Sequence, residues 1–344
     1  MAKQLINSLQ VFRRLAALAV VVHHASVSTD AFVETVPASW FRLFSLGALG
    51  VDFFFVLSGF IIMHAHMQES SQPAAIKSYI AKRLARIFPA YWPIGLTLLG
   101  LYAALPGMSA SGGREFSYVS SILLLPADLP PALSVAWSLV HELLFYGVFM
   151  LWFITKRAFW FGLFLWAAVI LAVTASGGST GWLRYLFSML NLEFMMGVVA
   201  ATIYCGASQR YHAGIFVAWG SALAIAMLMM MHSDKSMVVR LGFALGLAVL
   251  MLGVACWEQC RAICWPVSLL ALGNGSYSIY LVHNPLVSMT QRLAGRLGMT
   301  WPLALLLGVV LSIVCGYLYF LWLERPALRF FRSGGKTPKS RTSS

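Results

Sequence analysis

Long apolar runs separated by short polar segments are the dominant pattern along this chain. An α-helix needs roughly 20 mostly apolar residues to cross the hydrocarbon core of a membrane. Ten runs approach that length, and they cover residues 9–28, 44–64, 88–105, 135–153, 158–174, 183–204, 213–231, 238–256, 267–289 and 303–323. The pattern therefore predicts an all-α integral membrane protein, a bundle of about ten transmembrane helices.

The domain organisation follows from the same pattern. Residues 1–330 are predicted to form one transmembrane domain, and the polar, basic residues 331–344 a disordered cytoplasmic tail. The first apolar run has features of a secretory signal peptide. Two arginines beside its apolar core and two histidines after it favour a helix that is retained in the protein.

Composition and charge agree with a membrane protein. The chain is 60% hydrophobic and 10% charged, whereas a soluble domain carries about 25% charged residues. Its net charge of +13 lies at the ends of apolar runs instead of in one hydrophilic module, which argues against a nucleic-acid partner. The predicted inner segments hold 17 lysines and arginines and the outer segments 7. Both termini are therefore predicted to be cytoplasmic, with basic segments against anionic membrane lipids.

The cysteines do not predict a metal site. Cys256, Cys260 and Cys264 recur every four residues, so they share one helical face. This spacing differs from that of zinc ligands, and no cluster of histidines accompanies it. We interpret them as reduced thiols in a cytoplasmic loop, and no metal is expected.

The first predicted helix carries two arginines and two histidines in FRRLAALAVVVHH. At 100° per residue, Arg13 and His24 fall within about 20° of one face, whereas Arg14 with His24 and Arg13 with His23 miss by about 80°. Ionisable groups inside membranes are commonly functional, so Arg13 and His24 are predicted to line one pathway. Arg14 is interpreted as an inner-surface anchor. The alternative for the pair is a snorkelling arginine and an interfacial histidine.

Carboxylates within other predicted helices are further candidates. Asp52 lies in the second span and needs an arginine or histidine partner, either as a structural ion pair or in catalysis. Glu142 and Tyr146 are four residues apart and can bond each other on a helix. A buried glutamate is a good acid or base. Glu193 is a second intramembrane carboxylate.

An arginine pair follows the second predicted span, in YIAKRLARIFPAYW. Arg83 and Arg86 are three residues apart, and apolar residues form the opposite side, which predicts a helix in the inner membrane interface. Such a helix either grips lipid head groups or binds the phosphates of a cytosolic nucleotide, because guanidinium groups suit phosphate oxygens. His64 and His66, just before it, are interpreted as interfacial.

The last quarter of the chain adds three polar candidates. Tyr277, Tyr280 and His283 recur every three residues in GNGSYSIYLVHNP, and Glu324 closes the last span in LWLERPALRF. The two glycines do not predict a nucleotide site, since no strand precedes them.

In their order and spacing these motifs resemble the membrane-bound acyltransferase 3 family, whose members O-acylate bacterial surface carbohydrates. RRLAALAVVVHH is similar to the opening motif, an arginine and a histidine with ten residues between them, at Arg13 and His24. LGVDFFFVLSGF, the Arg-x-x-Arg motif at Arg83 and Arg86, WSLVHELLFY with Glu142, GSYSIYLVHNP and ERP follow in the same order. The resemblance covers nearly the whole chain and is greatest to exopolysaccharide-modifying members. A doubled arginine and histidine in the first motif are departures from the pattern.

The resemblance implies an O-acyltransferase in the bacterial inner membrane. It would move an acetyl or other short acyl group from cytosolic acyl-CoA, with acetyl-CoA as the expected donor. The acceptor would be a hydroxyl of a surface polysaccharide or of its lipid-linked precursor. The resemblance specifies neither the sugar nor the acyl group.

Residue roles follow from that reaction as hypotheses. The predicted catalytic residues are His24, Arg13, Glu142 and Asp52. His24 would act as general base or brief acyl carrier, and Glu142 or Asp52 would orient it. The predicted donor-binding residues, which would hold the phosphates of CoA, are Arg83 and Arg86. The residues assigned to the acceptor path or to structure are Glu193, Tyr277, His283 and Glu324.

A transporter or flippase for a glycan or an acyl group is the alternative, because ionisable residues inside a bundle also suit a proton relay. That interpretation expects inverted repeats and paired broken helices, which the sequence does not show. A scaffold without chemistry would leave the ordered polar motifs unexplained.

Overall fold

The computed structural model describes residues 6–105, 115–206, 212–231, 236–261, 263, 265–266 and 275–332. Within these residues all regular structure is helical. The α-helices in chain order are α1 (Asn7–Phe32), α2 (Ala38–Ser45), α3 (Gly50–His66), α4 (Ala74–Ala104), α5 (Tyr118–Leu123), α6 (Trp137–Phe149), α7 (Leu151–Ile154), α8 (Lys156–Ala175), α9 (Leu183–Leu186), α10 (Leu190–Gly206), α11 (Ala213–Met230), α12 (Met237–Cys260), α13 (Ser276–Arg296), α14 (Trp301–Tyr319) and α15 (Arg325–Arg332). A π-helical turn, Phe320–Glu324, joins α14 to α15.

The predicted class, a helical membrane bundle, is confirmed. In the part of the chain that the structure describes, nine helical segments are long and apolar enough to cross a membrane. Each overlaps one predicted run. The remaining run corresponds to α13, a helix of 21 residues whose polar side chains exclude it from that set. The protein is therefore a multi-pass membrane protein.

Two boundaries differ from the predictions. Helix α13 ends at Arg296, seven residues beyond the predicted run 267–289, whose first eight residues lie outside the described part. Helix α15 continues to Arg332 and includes the first two residues of the predicted tail. Cys264 and residues 333–344 also lie outside the described residues.

Helix α4 corrects the prediction of a separate interfacial helix around the arginine pair. Residues Ala74–Ala104 form one continuous helix, with Pro89 and Pro93 inside it. A proline removes one backbone hydrogen bond, and neighbouring groups in a bundle can satisfy the carbonyls left exposed. The carbonyls that lose their partner are those of Ala85 and Pro89, four residues before each proline. In the same stretch, tyrosine hydroxyls of α13 and α14 donate to the carbonyls of Ile87 and Ala90. The arginines therefore lie on a helix that enters the bundle.

Helices α3 and α10 pack with their backbones almost in contact. A Cβ atom built at Gly59 would fall on the carbonyl oxygen of Phe194, and one built at Gly197 on that of Val56. Small residues are what allow two membrane helices to approach this closely. This contact fixes α3, which carries one wall of the site described below.

Replacing Gly197 by alanine is expected to destabilise the protein. The added methyl group overlaps the Val56 carbonyl, and such overpacking costs about 1–3 kcal/mol. Thermal unfolding of the purified protein in detergent measures the effect as a lower midpoint. Gly147→Ala is the matched control, because a Cβ atom there meets no atom within 4 Å. Equal midpoints for the two variants would contradict the close contact.

Candidate functional site

A small cavity, here called the chamber, lies among α1, α3, α4, α6, α10 and α13. It has a volume of about 100 Å³ and is lined by both apolar and polar side chains. Its polar lining consists of Arg13, Ser58, Arg83, Arg86, Ser138, Glu142, Tyr146, Ser276, Tyr277 and Tyr280. Charges inside an apolar bundle interact strongly, because little water screens them. The chamber therefore holds cations and a carboxylate where they can act on a bound group.

A larger cavity of about 970 Å³, here called the vestibule, adjoins the chamber. Arg13, Arg83 and Arg86 line both cavities and so stand where the two meet. The other charged residues of its lining are Lys82, Arg325, Arg329 and Glu324. Six cations face one carboxylate in this lining, and a concave surface with such an excess attracts polyanions.

Arg13 and Arg86 are oriented by polar neighbours. The Nε of Arg13 donates to the Oγ of Ser276 at 2.7 Å. Both arginines lie close enough to Glu142 and Glu324 to interact with them electrostatically. The two carboxylates thus come from distant parts of the chain to the same pair of guanidinium groups.

The carboxylates are themselves held by hydrogen bonds. The hydroxyl of Tyr146 donates to Oε1 of Glu142, which confirms the contact predicted from their spacing. The Oγ of Ser278 donates to Oε2 of Glu324 at 2.5 Å. Glu324 lines the vestibule, beside the arginines that were predicted to bind the donor.

Arg83 has a different set of neighbours. Its guanidinium carbon lies over the rings of Tyr79 and Tyr146, 5.4 and 5.2 Å from their centroids. Its Nη2 is 2.9 Å from Nε2 of His66, whose Nδ1 is 2.9 Å from Oε2 of Glu69. His66 is buried, with 8% exposure. Its interpretation as an interfacial residue is therefore wrong, because its side chain packs against Arg83 of α4 inside the protein.

His24 lies beside His283 of α13 and lines neither cavity. The two ring centroids are 5.0 Å apart. Nδ1 of His24 is 3.0 Å from the carbonyl oxygen of Val20, and Nδ1 of His283 is 2.6 Å from that of Tyr280. A carbonyl oxygen only accepts, so each Nδ1 carries a proton, and in the neutral ring each Nε2 keeps its lone pair. Nε2 of His283 is buried without a hydrogen-bond partner among the described residues.

The predicted phase of the first helix is confirmed. Arg13 contacts Ser276 and His24 contacts His283, so both residues of the predicted pair face α13. Arg14, by contrast, is only 4% exposed. Its interpretation as a surface anchor is wrong, because its side chain is buried on the packed side of α1.

Asp52 and Glu193 form a separate cluster with Arg240. Nη2 of Arg240 is 3.0 Å from Oδ1 of Asp52, and its Nε is 3.4 Å from Oε1 of Glu193. Asp52 thus has the arginine partner that was expected, but this contact does not involve His24. Asp52 therefore belongs to an ion-pair cluster that joins α3, α10 and α12. It is not in a position to orient His24 through this contact.

Tyr277 and Tyr280 connect α13 to the chamber. The hydroxyl of Tyr277 donates to the carbonyl of Ile87 at 3.1 Å. That of Tyr280 donates to the carbonyl of Val135 at 3.1 Å and lies 2.8 Å from Oγ of Ser138. The chamber face of α13 was predicted only in part, because its serine contacts depend on packing against α1 and α6.

In the part of the chain that the structure describes, no group of three or more His, Cys, Asp or Glu side chains could hold a metal ion. Cys256 is buried and Cys260 is exposed. Both belong to α12, so their interpretation as thiols of a loop is wrong.

The fold and the site define a class, a multi-pass membrane protein with an anion-attracting entrance and ionisable groups inside its helical bundle. Residues 6–321 match the acyltransferase 3 family, whose model is described as an acyltransferase domain. The chain belongs to this family and is an enzyme that transfers acyl groups other than amino-acyl groups. Membership decides between the enzyme and the transporter interpretations in favour of the enzyme.

Two relatives cover most of the chain. It is 30% identical over 302 residues to the exopolysaccharide production protein ExoZ of Rhizobium meliloti (strain 1021), covering 83% of this chain and 91% of that protein. It is 27% identical over 357 residues to the acyltransferase MdmB of Streptomyces mycarofaciens, covering 94% and 91%. No solved structure matches the chain.

Proposed function

We propose that this enzyme transfers an acetyl or other short acyl group from acyl-CoA, with acetyl-CoA as donor, to a hydroxyl of a bacterial surface polysaccharide or of its lipid-linked precursor. The observation that carries the proposal is the group of three arginines, Arg13, Arg83 and Arg86, where the vestibule meets the chamber. Coenzyme A carries several phosphate charges, and guanidinium forks bind phosphate oxygens well. A relative named for exopolysaccharide production supports the acceptor class.

The donor would enter from the cytosolic side of the inner membrane. Nearly all charged residues of the vestibule lining are basic, and basic residues concentrate on the cytoplasmic side of membrane proteins. In this arrangement both termini are cytoplasmic. The vestibule holds the phosphates, and the acyl end reaches past the arginines toward the chamber. Glu142 holds Arg13 and Arg86 in place.

The acceptor hydroxyl would be activated by His24. Its Nδ1 proton is bonded to a carbonyl, so Nε2 is the basic atom. Nε2 takes the proton of the sugar hydroxyl while the sugar oxygen bonds to the thioester carbon. The carbon–sulfur bond then breaks, and the departing CoA thiolate takes up the proton. Tyr280 lines the chamber and its ring lies 5.6 Å from that of His283. These two side chains connect the chamber to His24, and the acyl end of the donor would meet the acceptor hydroxyl beside them.

Labelled acetyl-CoA tests both the reaction and its sidedness. Membrane vesicles are prepared from cells that express the protein and make its polysaccharide. Inverted vesicles, which expose the cytosolic face, are expected to incorporate the label into polysaccharide and to release CoA. Sealed right-side-out vesicles are expected to incorporate none, because acetyl-CoA does not cross the bilayer. Vesicles that lack the protein are the control.

Equal labelling from both vesicle orientations would contradict cytosolic donor entry. Absence of labelled polysaccharide and of CoA release in inverted vesicles would contradict acetyl-CoA as the donor. Deleting the gene is expected to remove one acyl resonance from the NMR spectrum of the surface polysaccharide, and that resonance identifies the acyl group and the sugar position.

A further inference from the structure

His66 lies at the end of α3 in a hydrogen-bonded chain whose direction the chemistry fixes. A guanidinium group has donors only, so Nη2 of Arg83 must donate to Nε2 of His66 across their 2.9 Å separation. Nε2 therefore carries a lone pair, and the ring proton sits on Nδ1. From there it is donated to Oε2 of Glu69 at 2.9 Å. The chain from Glu69 through His66 to Arg83 thus needs a neutral histidine in one tautomer.

The backbone that carries this chain is fixed by the α7–α8 region. Nε1 of Trp152 donates to the carbonyl of His66 at 2.9 Å, and Nζ of Lys156 donates to the carbonyl of Glu69 at 2.7 Å. The same Nζ lies 3.4 Å from the centroid of the Trp152 ring. Because the backbones of His66 and Glu69 are both anchored, the His66 imidazole has a defined position from which to hold the Arg83 guanidinium.

Arg83 retains a donor that nothing in the described protein uses. Its Nε is buried and has no hydrogen-bond partner among the described residues. A buried N–H without an acceptor is unfavourable, which makes it a natural donor to an incoming ligand. Since Arg83 lines both the chamber and the vestibule, that ligand reaches it through a cation-rich cavity. An anionic oxygen is the chemical group that fits.

We propose that His66 is a positioning residue: with Glu69 it holds one end of the Arg83 guanidinium, so that the Nε–H of Arg83 is presented to a phosphate of the acyl donor. The two tyrosine rings that contact the guanidinium restrict its remaining freedom. This inference rests on the proposed function, in which the vestibule binds acyl-CoA. It adds a residue that acts on donor affinity without touching the donor.

Donor binding by purified protein in lipid nanodiscs tests the inference, with acetyl-CoA as the probe. His66→Leu is expected to raise the Kd for acetyl-CoA about tenfold, the factor that one lost charge-assisted hydrogen bond gives. Transfer at saturating donor is expected to change less than about twofold, because the reacting atoms are not affected. His66→Gln is expected to restore most of the affinity, since its amide can accept from Arg83 and donate to Glu69.

His64→Gln is the matched control on the same helix. The ring of His64 packs against Phe60 and Tyr204, away from Arg83. The Kd of this variant is expected to equal that of the unmodified protein. A Kd for His66→Leu that also equals the unmodified value overturns the inference and leaves the proposed function intact. Failure of the unmodified protein to bind acetyl-CoA overturns the proposed function itself.

A double-variant cycle separates positioning from a general loss of structure. If His66 acts through Arg83, adding His66→Leu to Arg83→Gln is expected to change the Kd less than about twofold further, since coupled residues are not additive. Full additivity would show that His66 acts elsewhere and would overturn the assignment. The restored affinity of His66→Gln gives the same answer if the leucine variant fails to insert.

Discussion

Replacing His24 by alanine is expected to abolish acyl transfer while the protein still folds and inserts. His24 supplies the only basic atom assigned to the acceptor hydroxyl, the Nε2 whose lone pair follows from the Nδ1 contact with Val20. Loss of a general base lowers rates by about 10²- to 10⁴-fold. The transfer of label from acetyl-CoA to polysaccharide in inverted vesicles measures this loss.

A control variant, His23→Ala, and the affinity of His24→Ala for acetyl-CoA show whether the loss of transfer is specific to the His24 base. His23→Ala removes the neighbouring ring, which packs 5.1 Å from that of His24 but points to another face of α1. We expect it to keep most of the activity. Because His24 lines neither cavity, His24→Ala is also expected to bind acetyl-CoA with an unchanged Kd. Full transfer by His24→Ala would rule out the assigned role.

Helical phase explains why the pair in α1 could be selected from the sequence. The angle between two residues of a helix depends only on their separation, so Arg13 and His24 share a face whatever surrounds them. The contacts of these residues with Ser276 and His283 could not be predicted in the same way. They depend on how α13 packs against α1, some 260 residues later in the chain.

The partner of Asp52 could not be predicted and the position predicted for His66 was wrong for one physical reason, namely that both depend on contacts between different helices. The partner of Asp52 is Arg240, 188 residues away, and the partner of His66 is an arginine on the next helix. Local hydropathy gives His66 the pattern of an interfacial residue, because a histidine at the end of an apolar run commonly reaches water. Only the reversal of the chain between the end of α3 and the start of α4 brings Arg83 back against it. His66–x–x–Glu69 was the available sign of a hydrogen-bonded pair.

The vestibule could not be predicted from the sequence for the same reason. Its walls come from α1, α4, the π-helical turn and α15, at opposite ends of the chain. Charge counting placed these basic residues on one side of the membrane. It could not show that they surround a common space, because that depends on α15 folding back against α4. Three arginines from two separate sequence motifs therefore become one site only in the folded protein.

Replacing Arg86 by glutamine is expected to have the largest effect of any single substitution on donor binding. Arg86 lines both cavities and is one of two arginines beside Glu142 and Glu324. Its removal takes away a phosphate ligand and one of the two positive charges that lie beside Glu142 and Glu324. We expect the Kd for acetyl-CoA to rise about 30- to 100-fold, as for the loss of one or two charge-assisted hydrogen bonds.

Two further variants separate charge from geometry. Arg86→Lys keeps the charge but loses the planar fork, so an intermediate affinity is expected. Arg292→Gln on α13 is the control, because that guanidinium packs over the Phe32 ring at 4.1 Å and lines neither cavity. Isothermal titration with acetyl-CoA and with free CoA measures all three. Since both ligands carry the same phosphates, Arg86→Gln must weaken them equally. A loss confined to acetyl-CoA would place Arg86 at the acyl group and contradict its assignment to the phosphates.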